Sequence, residues 1–189
     1  MSRSLFVFVK EPHPGRVKTR LGAGIGQIRA AWWFRHQCAR LLRRLDSQRW
    51  RLWVAVSPDE EGLQSAVWPA HLPRWPQGRG DLGDRMGRVL RNAPPGPVVI
   101  IGADIPDISA QDIEAAFRAL GDHDLVIGPA PDGGFWLIGM ARRRRIPATL
   151  FQNVRWSTDT AMSDTLASVP GLRVKMIRSL NDVDDVSDL

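Results

Sequence analysis

The chain is poor in the residues that build covalent or soft-metal frameworks. Cys38 is its single cysteine, so no disulfide can close within the chain and no cysteine-based zinc site can form. The four histidines, His13, His36, His71 and His123, are scattered without metal-ligand spacing. No apolar run approaches the roughly 18 residues that a membrane-spanning helix needs. The apolar stretch between Met1 and Lys10 is followed by no small-residue cleavage site, so it reads as a first strand and not a signal peptide. A cytoplasmic location is the matching expectation. Repeats, low-complexity tracts and long linkers are also missing, which leaves a single domain, 1–189. The Gly-x-x-x-x-Gly-Lys-Ser/Thr phosphate loop is absent, and Ser4, Ser57 and Ser109 lie in no nucleophile elbow.

Lysine is scarce as well, occurring only at positions 10, 18 and 175, so nearly all basic residues are arginines. The 26 basic residues exceed the 20 acidic ones, for a net charge of +6. Such an excess fits either a compositional bias or contact with polyanions such as nucleotide phosphates. Where the charges sit decides more than their sum.

What is present is an ordinary globular composition, 43% hydrophobic and 24% charged. Short apolar runs at Ser4–Val9, Leu52–Val56, Val98–Ile101, Asp124–Gly128, Phe135–Met140 and Arg173–Ile177 predict strands. Helical spacing predicts helices over Ile28–Leu45, Leu82–Leu90, Ser109–Leu120 and Asp159–Ala167. In the first of these, Ile28, Trp32, Cys38, Leu41, Leu42 and Leu45 form the apolar stripe. Ser109 followed by Asp112 has the spacing of a capping box. Buried strands alternating with helices imply an α/β fold with a largely parallel sheet covered on both faces. Ligands of such sheets bind beyond the carboxyl ends of the strands, so the loops there are read for chemistry.

The first such loop, Lys10–Leu21, carries four cations and two prolines. A stiff basic loop suits a polyphosphate, because little ordering is needed on binding and arginine grips phosphate at two points. Asp104 follows the strand Val98–Ile101. Either it holds a divalent cation through hard carboxylate oxygens or it caps the turn. In Pro129–Trp136, Asp132, Gly133 and Gly134 form either a ligand-hugging loop or a hairpin turn, and one of Phe135 and Trp136 should enter the core. Gly80, Asp81 and Gly83 precede or open a predicted helix whose N–H groups can receive an anion. The tail, Asn181–Asp188, is either a frayed acidic end or the source of a second metal carboxylate. Arg142–Arg145 reads as a solvated turn.

Taken in order, these segments resemble a known family. They are Lys10-x-Pro-x-Pro-Gly-Arg-Val-Lys-Thr-Arg-Leu21, Gln77-x-x-Gly-Asp-Leu-Gly-Asp-Arg-Met86, Ile101-Gly-Ala-Asp-Ile-Pro106, Gly128-Pro-Ala-x-Asp-Gly-Gly-Phe-Trp-Leu-Ile-Gly139, Trp156-Ser-Thr158 and Asp182-Val-Asp184. Together they resemble the DUF2064 family of glycosyltransferase-like proteins, also described as arsenosugar-biosynthesis-associated glycosyltransferases and similar to 2-phospholactate guanylyltransferases. The resemblance implies a GT-A, nucleotide-diphospho-sugar transferase fold. It implies that Lys10, Lys18 and Arg20 hold the nucleotide and its phosphates, and that Asp104 holds Mg²⁺ or Mn²⁺. It also implies a second metal carboxylate from Asp182 or Asp184. The family's Thr-Pro-Glu between these aspartates and the chain end is replaced here, and its tyrosine after the Gly-Gly turn is Phe135.

The expected function is therefore a metal-dependent transferase with a nucleotide-activated donor, in which Lys18 and Asp104 carry the chemistry. Lys10, Lys18, Arg20, Gly80, Asp81 and Gly83 are the candidate nucleotide-binding residues. Asp132, Gly133 and Gly134 are candidates for the small-molecule acceptor, and Asp104, Asp184 and Asp182 for the metal. Glycosyl transfer from a nucleotide sugar is the leading expectation. Nucleotidyl transfer to a small phosphorylated acid is the alternative, and a basic nucleic-acid-binding or inactive module is the rival class. Nucleic acid is disfavoured because aromatic and basic residues do not interleave on one strand. A homodimer is allowed.

Overall fold

The computed structural model describes residues 2–188 of the chain. Seven strands form one sheet: β1 (Ser4–Phe8), β2 (Arg51–Val56), β3 (Arg74–Pro76), β4 (Val98–Gly102), β5 (Leu125–Pro129), β6 (Phe135–Met140) and β7 (Val174–Met176). Their order is β3-β2-β1-β4-β6-β5-β7. All pairings are parallel except those of β6, which runs antiparallel to β4 and β5. The other six strands therefore point the same way, and the segments after β1, β4, β5 and β7 all emerge at one edge.

The helices are α1 (Thr19–Ile25), α2 (Gln27–Leu45), α3 (Asp59–Gln64), α4 (Leu82–Asn92), α5 (Ala110–Ala119) and α6 (Ala161–Ala167). Because side chains alternate across a strand, the apolar runs feed two cores. Leu5, Val7 and Val9 join α2 and α5 on one face, whereas Phe6 joins α4 on the other. That is why β1 and β4 lack a polar face and are legible as continuous apolar runs.

Three elements differ from the sequence expectation by being additional. α1 has no apolar periodicity and no side-chain cap. α3 is a short acidic turn of helix, and β3 is only three residues long. The stripe assigned to α2 also needs correction. Its buried residues include Ala30, Ala31, Phe34, Cys38, Leu41, Leu42 and Leu45, while Ile28 and Trp32 are 69% and 63% exposed. The small residues Ala30 and Ala31 set the inward face at the start of the helix, which turns the bulkier pair outward. Arg142 and Arg143 are likewise not simply solvated. Arg142 donates to the carbonyls of Ala93 and Pro94, and Arg143 to those of Leu120 and His123, tying loops at the far edge.

Candidate active site

Four segments meet at the carboxyl edge of the sheet, and each is placed by the strand before it. The loop after β1 descends to Lys18, which adopts a left-handed conformation (φ 45°, ψ 49°) immediately before α1. That conformation costs a residue with a Cβ about 1–2 kcal/mol, and such local strain gathers where a side chain must be aimed. The Lys18 side chain is only 6% exposed. Its Nζ donates to Asp104 Oδ2 and to Asp184 Oδ1, both at 2.9 Å. Arg20 reaches Asp184 Oδ2 at 3.4 Å from the exposed side.

Asp104 lies two residues beyond β4. Asp182 and Asp184 arrive from β7, because the tail returns across the sheet edge. Its docking is visible in the buried Leu180 and Val183, in the Val183 N–H donating to the Asp104 carbonyl, and in a 3₁₀ turn over Val186–Asp188. Upstream, Arg178 holds the same segment by donating to Asp112 and to the Asp107 carbonyl. The Trp136 indole adds a bond to the Arg178 carbonyl.

One oxygen from each of Asp104, Asp182 and Asp184 lies within 4.8 Å of the others. Such crowding disfavours ionisation. Partial burial, then the Asp184 and Asp104 carboxylates, push Asp182 up to about 6. Burial opposes the charge on Lys18, but Asp104 and then Asp184 outweigh it and hold its pKa above the ordinary lysine value. The triad is thus an acidic cluster partly neutralised by one buried ammonium. Its donors are all hard oxygens, the kind that magnesium and manganese take, and a cation among them would relieve the repulsion on Asp182. The residues present fit a divalent metal.

The cluster separates two concavities of opposite character. On one side, Lys10, Arg16, Lys18, Arg20 and Phe34 line a hollow of about 310 Å³. On the other, a cavity of about 390 Å³ is walled by Phe8, Met86, Phe135, Trp136, Ile138 and Trp156, with no lysine or arginine in its lining among the described residues. Asp104 and Asp184 border both.

Asp132 and Gly134 line the aromatic cavity, where the Asp132 carboxylate accepts from the Gly134 N–H. Gly133 (φ 86°) turns the β5–β6 hairpin and packs against the Asp159 backbone, leaving no room for a Cβ. Of the two aromatics, Trp136 enters the core and Phe135 stays half-buried, and both face the cavity. Gly80, Asp81 and Gly83 are not gathered into this group. Asp81 caps α4 reciprocally with Asp84, and Gly83 is buried under Phe151 and Trp156. Of residues 80–83, Leu82 alone lines the aromatic cavity. The structure adds Trp156, Ser157 and Thr158 to the lining, residues to which the sequence assigns a motif but no role. Their signal is the motif alone, since they lie in a turn with no periodicity.

Known proteins share both the sequence pattern and this architecture. The model of the DUF2064 family, described as "Uncharacterized protein conserved in bacteria", matches residues 41–158, more than half of the chain. A 3-phospho-D-glycerate guanylyltransferase of Phenylobacterium zucineum (strain HLK1) is 32% identical over 103 residues. That match spans 52% of this chain and 46% of the relative, so it covers less than half of the relative's length. A crystal structure from Desulfovibrio desulfuricans G20, provisionally assigned as a nucleotide-diphospho-sugar transferase, superposes with a TM-score of 0.86 at 32% identity. It covers 100% of this chain and 85% of that one. Rv0371c of Mycobacterium tuberculosis H37Rv, crystallised as a complex with manganese, shares the fold at 14% identity, with a TM-score of 0.55 over 100% of this chain and 95% of that one. The fold is that of the nucleotide-diphospho-sugar transferases.

Proposed function

The chain belongs to the DUF2064 family, and from that membership we propose that it is a metal-dependent nucleotidyltransferase. The observation that carries this reading is the Lys18 ammonium held 2.9 Å from both Asp104 and Asp184, where a cationic hollow meets an aromatic cavity. Lys10, Arg16, Lys18 and Arg20 receive the triphosphate, since their cations converge beside the carboxylate cluster. Asp104, Asp184 and Asp182 hold Mg²⁺ or Mn²⁺, as the manganese complex of a distant fold relative encourages. When bound, the ion supplies charge neutralisation for the phosphates.

Lys18 moves little in this scheme. Its ammonium, fixed by two carboxylates and low in exposure, is aimed in advance at the charge that develops on the phosphates. The acceptor lies on the aromatic side, near Asp132, Gly133 and Gly134. An acceptor oxygen attacks the α-phosphorus, the bond to the bridging oxygen breaks, and pyrophosphate leaves toward the basic hollow. Gly80, Asp81 and Gly83 keep the helix-capping and packing roles described above, and at most touch the nucleotide at its periphery.

The relative named as a guanylyltransferase favours nucleotidyl transfer. Glycosyl transfer is the second reading, favoured by the assignment of the Desulfovibrio relative, which matches along the whole of this chain. Both use the same basic hollow and the same metal. The test is product analysis. Each nucleoside triphosphate is incubated with Mg²⁺ or Mn²⁺ and small phosphorylated acids such as 3-phosphoglycerate and 2-phospholactate. Acceptor-dependent pyrophosphate release is the expected result. Nucleoside diphosphate released from a nucleotide sugar would favour glycosyl transfer. Neither product, together with no thermal stabilisation by any nucleotide and metal, would overturn both readings.

A further inference from the structure

The outward face of α2 has no part in the chemistry above, yet it is unlike the rest of the surface. Ile28 and Trp32 are the two most exposed large apolar side chains among the described residues, at 69% and 63%. With Trp33, His36 and the buried Gln37 they line a shallow groove of about 530 Å³, bordered by Arg29 and Arg40. The Gln37 amide nitrogen is buried and has no hydrogen-bond partner among the described residues. From Gln27 to Leu45 the helix contains no acidic residue. Arg29, Arg35, Arg40 and Arg43 are all exposed, and none makes an ion pair among the described residues.

We propose that this face docks on an anionic lipid bilayer, with Ile28 and Trp32 entering the interface and the four free arginines meeting headgroup phosphates. Nineteen helical residues lay down a footprint about 28 Å long. Basic side chains along such a helix are drawn to negative headgroups, and tryptophan settles at the boundary between headgroup and acyl chain. The complementarity is with negative charge and apolar depth together. A second copy of the chain supplies apolar contact through its own Ile28 and Trp32 but not the negative charge, because a two-fold pairing of α2 on itself sets arginine against arginine. A nucleic acid supplies the charge but leaves Ile28 in water. The start of this helix follows α1 directly, and α1 begins immediately after Lys18.

The test is co-sedimentation with vesicles of phosphatidylcholine alone and of phosphatidylcholine mixed with phosphatidylglycerol, across a salt series. The full chain should pellet with the mixed vesicles and not with the neutral ones, and binding should weaken as salt rises. Each Arg→Gln change at 29, 35, 40 or 43 should lower partitioning about fivefold, the equivalent of about 1 kcal/mol. The pair Ile28→Ser and Trp32→Ala should lower it at least about tenfold. Because both side chains are exposed, the thermal midpoint should stay unchanged, which separates loss of docking from loss of fold. Failure of the wild-type chain to pellet with the mixed vesicles would overturn the proposal. So would an equal loss from Arg144→Gln and Arg145→Gln, exposed arginines at the other edge, since binding would then reflect net charge alone. A solution dimer that Trp32→Ala dissolves would overturn it in favour of a second copy.

Discussion

Replacing Lys18 by methionine takes the buried ammonium out of the carboxylate cluster while keeping the length of the side chain and its left-handed backbone. A dry hydrogen bond between charged groups is worth about 1.5–3 kcal/mol. Asp104 and Asp184 keep 36% and 44% of their side-chain surface in solvent, so each bond is screened toward about 1 kcal/mol or less. Methionine also relieves the desolvation that an ammonium at 6% exposure suffers, which offsets part of the loss. The three carboxylates, left without their counter-ion, repel one another and add to it. The net destabilisation should be about 1–2 kcal/mol, or about 2–8 °C in Tm for a chain of this length. The assay is thermal unfolding of both proteins in EDTA and then in saturating Mg²⁺. In EDTA the variant should melt lower. In Mg²⁺ the gap should close, because the ion takes over the neutralising role and binds the variant more tightly. Turnover should behave oppositely. Without the Lys18 ammonium to bind phosphate, kcat/KM should fall about tenfold to a hundredfold, with or without excess metal. Equal melting of the two proteins in EDTA, with Mg²⁺ stabilising both alike, would refute the reading of Lys18 as counter-ion to a metal cluster.

Asp104→Asn should abolish metal-dependent nucleotide binding by calorimetry while circular dichroism stays native, since the Asp104 side chain is partly exposed and its carbonyl keeps the hydrogen bond from the Val183 N–H. Truncation after Leu180 removes both tail carboxylates and should weaken Mn²⁺ binding about as much as Asp104→Asn. A truncated chain that binds Mn²⁺ and nucleotide normally would place the second carboxylate elsewhere, Asp132 first. Asp112 reports on the anchor of the tail. Burial opposes its ionisation, but Arg178 and then Ser109 outweigh it and hold its pKa below the ordinary carboxylate value. A folded pKa below the unfolded value of about 3.9 gives stability that is present above about pH 4 and lost as pH falls through the folded value. Asp112→Asn should therefore lower Tm at pH 7 by an amount matching about 1 kcal/mol, since Arg178 is largely exposed. The gap to wild type should narrow below about pH 4, and a gap independent of pH would contradict the ion-pair account.

The sequence discloses those parts of the fold whose signal is local. β1 and β4 are buried on both faces and read as unbroken apolar runs, and the Ser109–Asp112 capping box marks the start of α5. β3 leaves no such trace. It is three residues long, and Trp75 packs edge-on to Trp53 and Phe6, an arrangement that only the tertiary fold creates. α1 and α3 are seven and six residues long and bury only Leu21 and Gly22, and Gly62, so neither shows an apolar stripe. Ile28 and Trp32 fall into the α2 stripe by spacing, yet spacing alone cannot tell a core-facing side chain from one turned outward one position around the helix. In the site, Lys18 and Asp104 are legible because each follows a buried strand, and strand ends collect ligands. The convergence of Asp182 and Asp184 with them depends on the return of the tail from β7, which no local pattern encodes. Trp156–Thr158 carry neither periodicity nor charge, so their place in the cavity wall emerges only from the packing of their turn on α4.

The antiparallel β6 also constrains how the molecule assembles. It is made after β5 but lies between β5 and β4, so the sheet cannot grow strand by strand in chain order. β5 and β6 can pair at once through the short turn at Gly133, a local closure with little loop entropy to lose. The parallel strands β1, β2 and β4 pair across long intervening helices, which is slower. Docking of the β5–β6 hairpin onto the free edge of β4, where Val98 to Ile101 pair with Met140 to Leu137, is the long-range step that joins the two halves of the sheet. Ile100 and Ile101 line the aromatic cavity from β4, and Trp136 and Ile138 line it from β6. The cavity floor thus comes into being at the moment the two halves zip together. Until then the β4 edge is an open apolar strand, the region where a folding chain of this kind is most exposed to pairing with a neighbour.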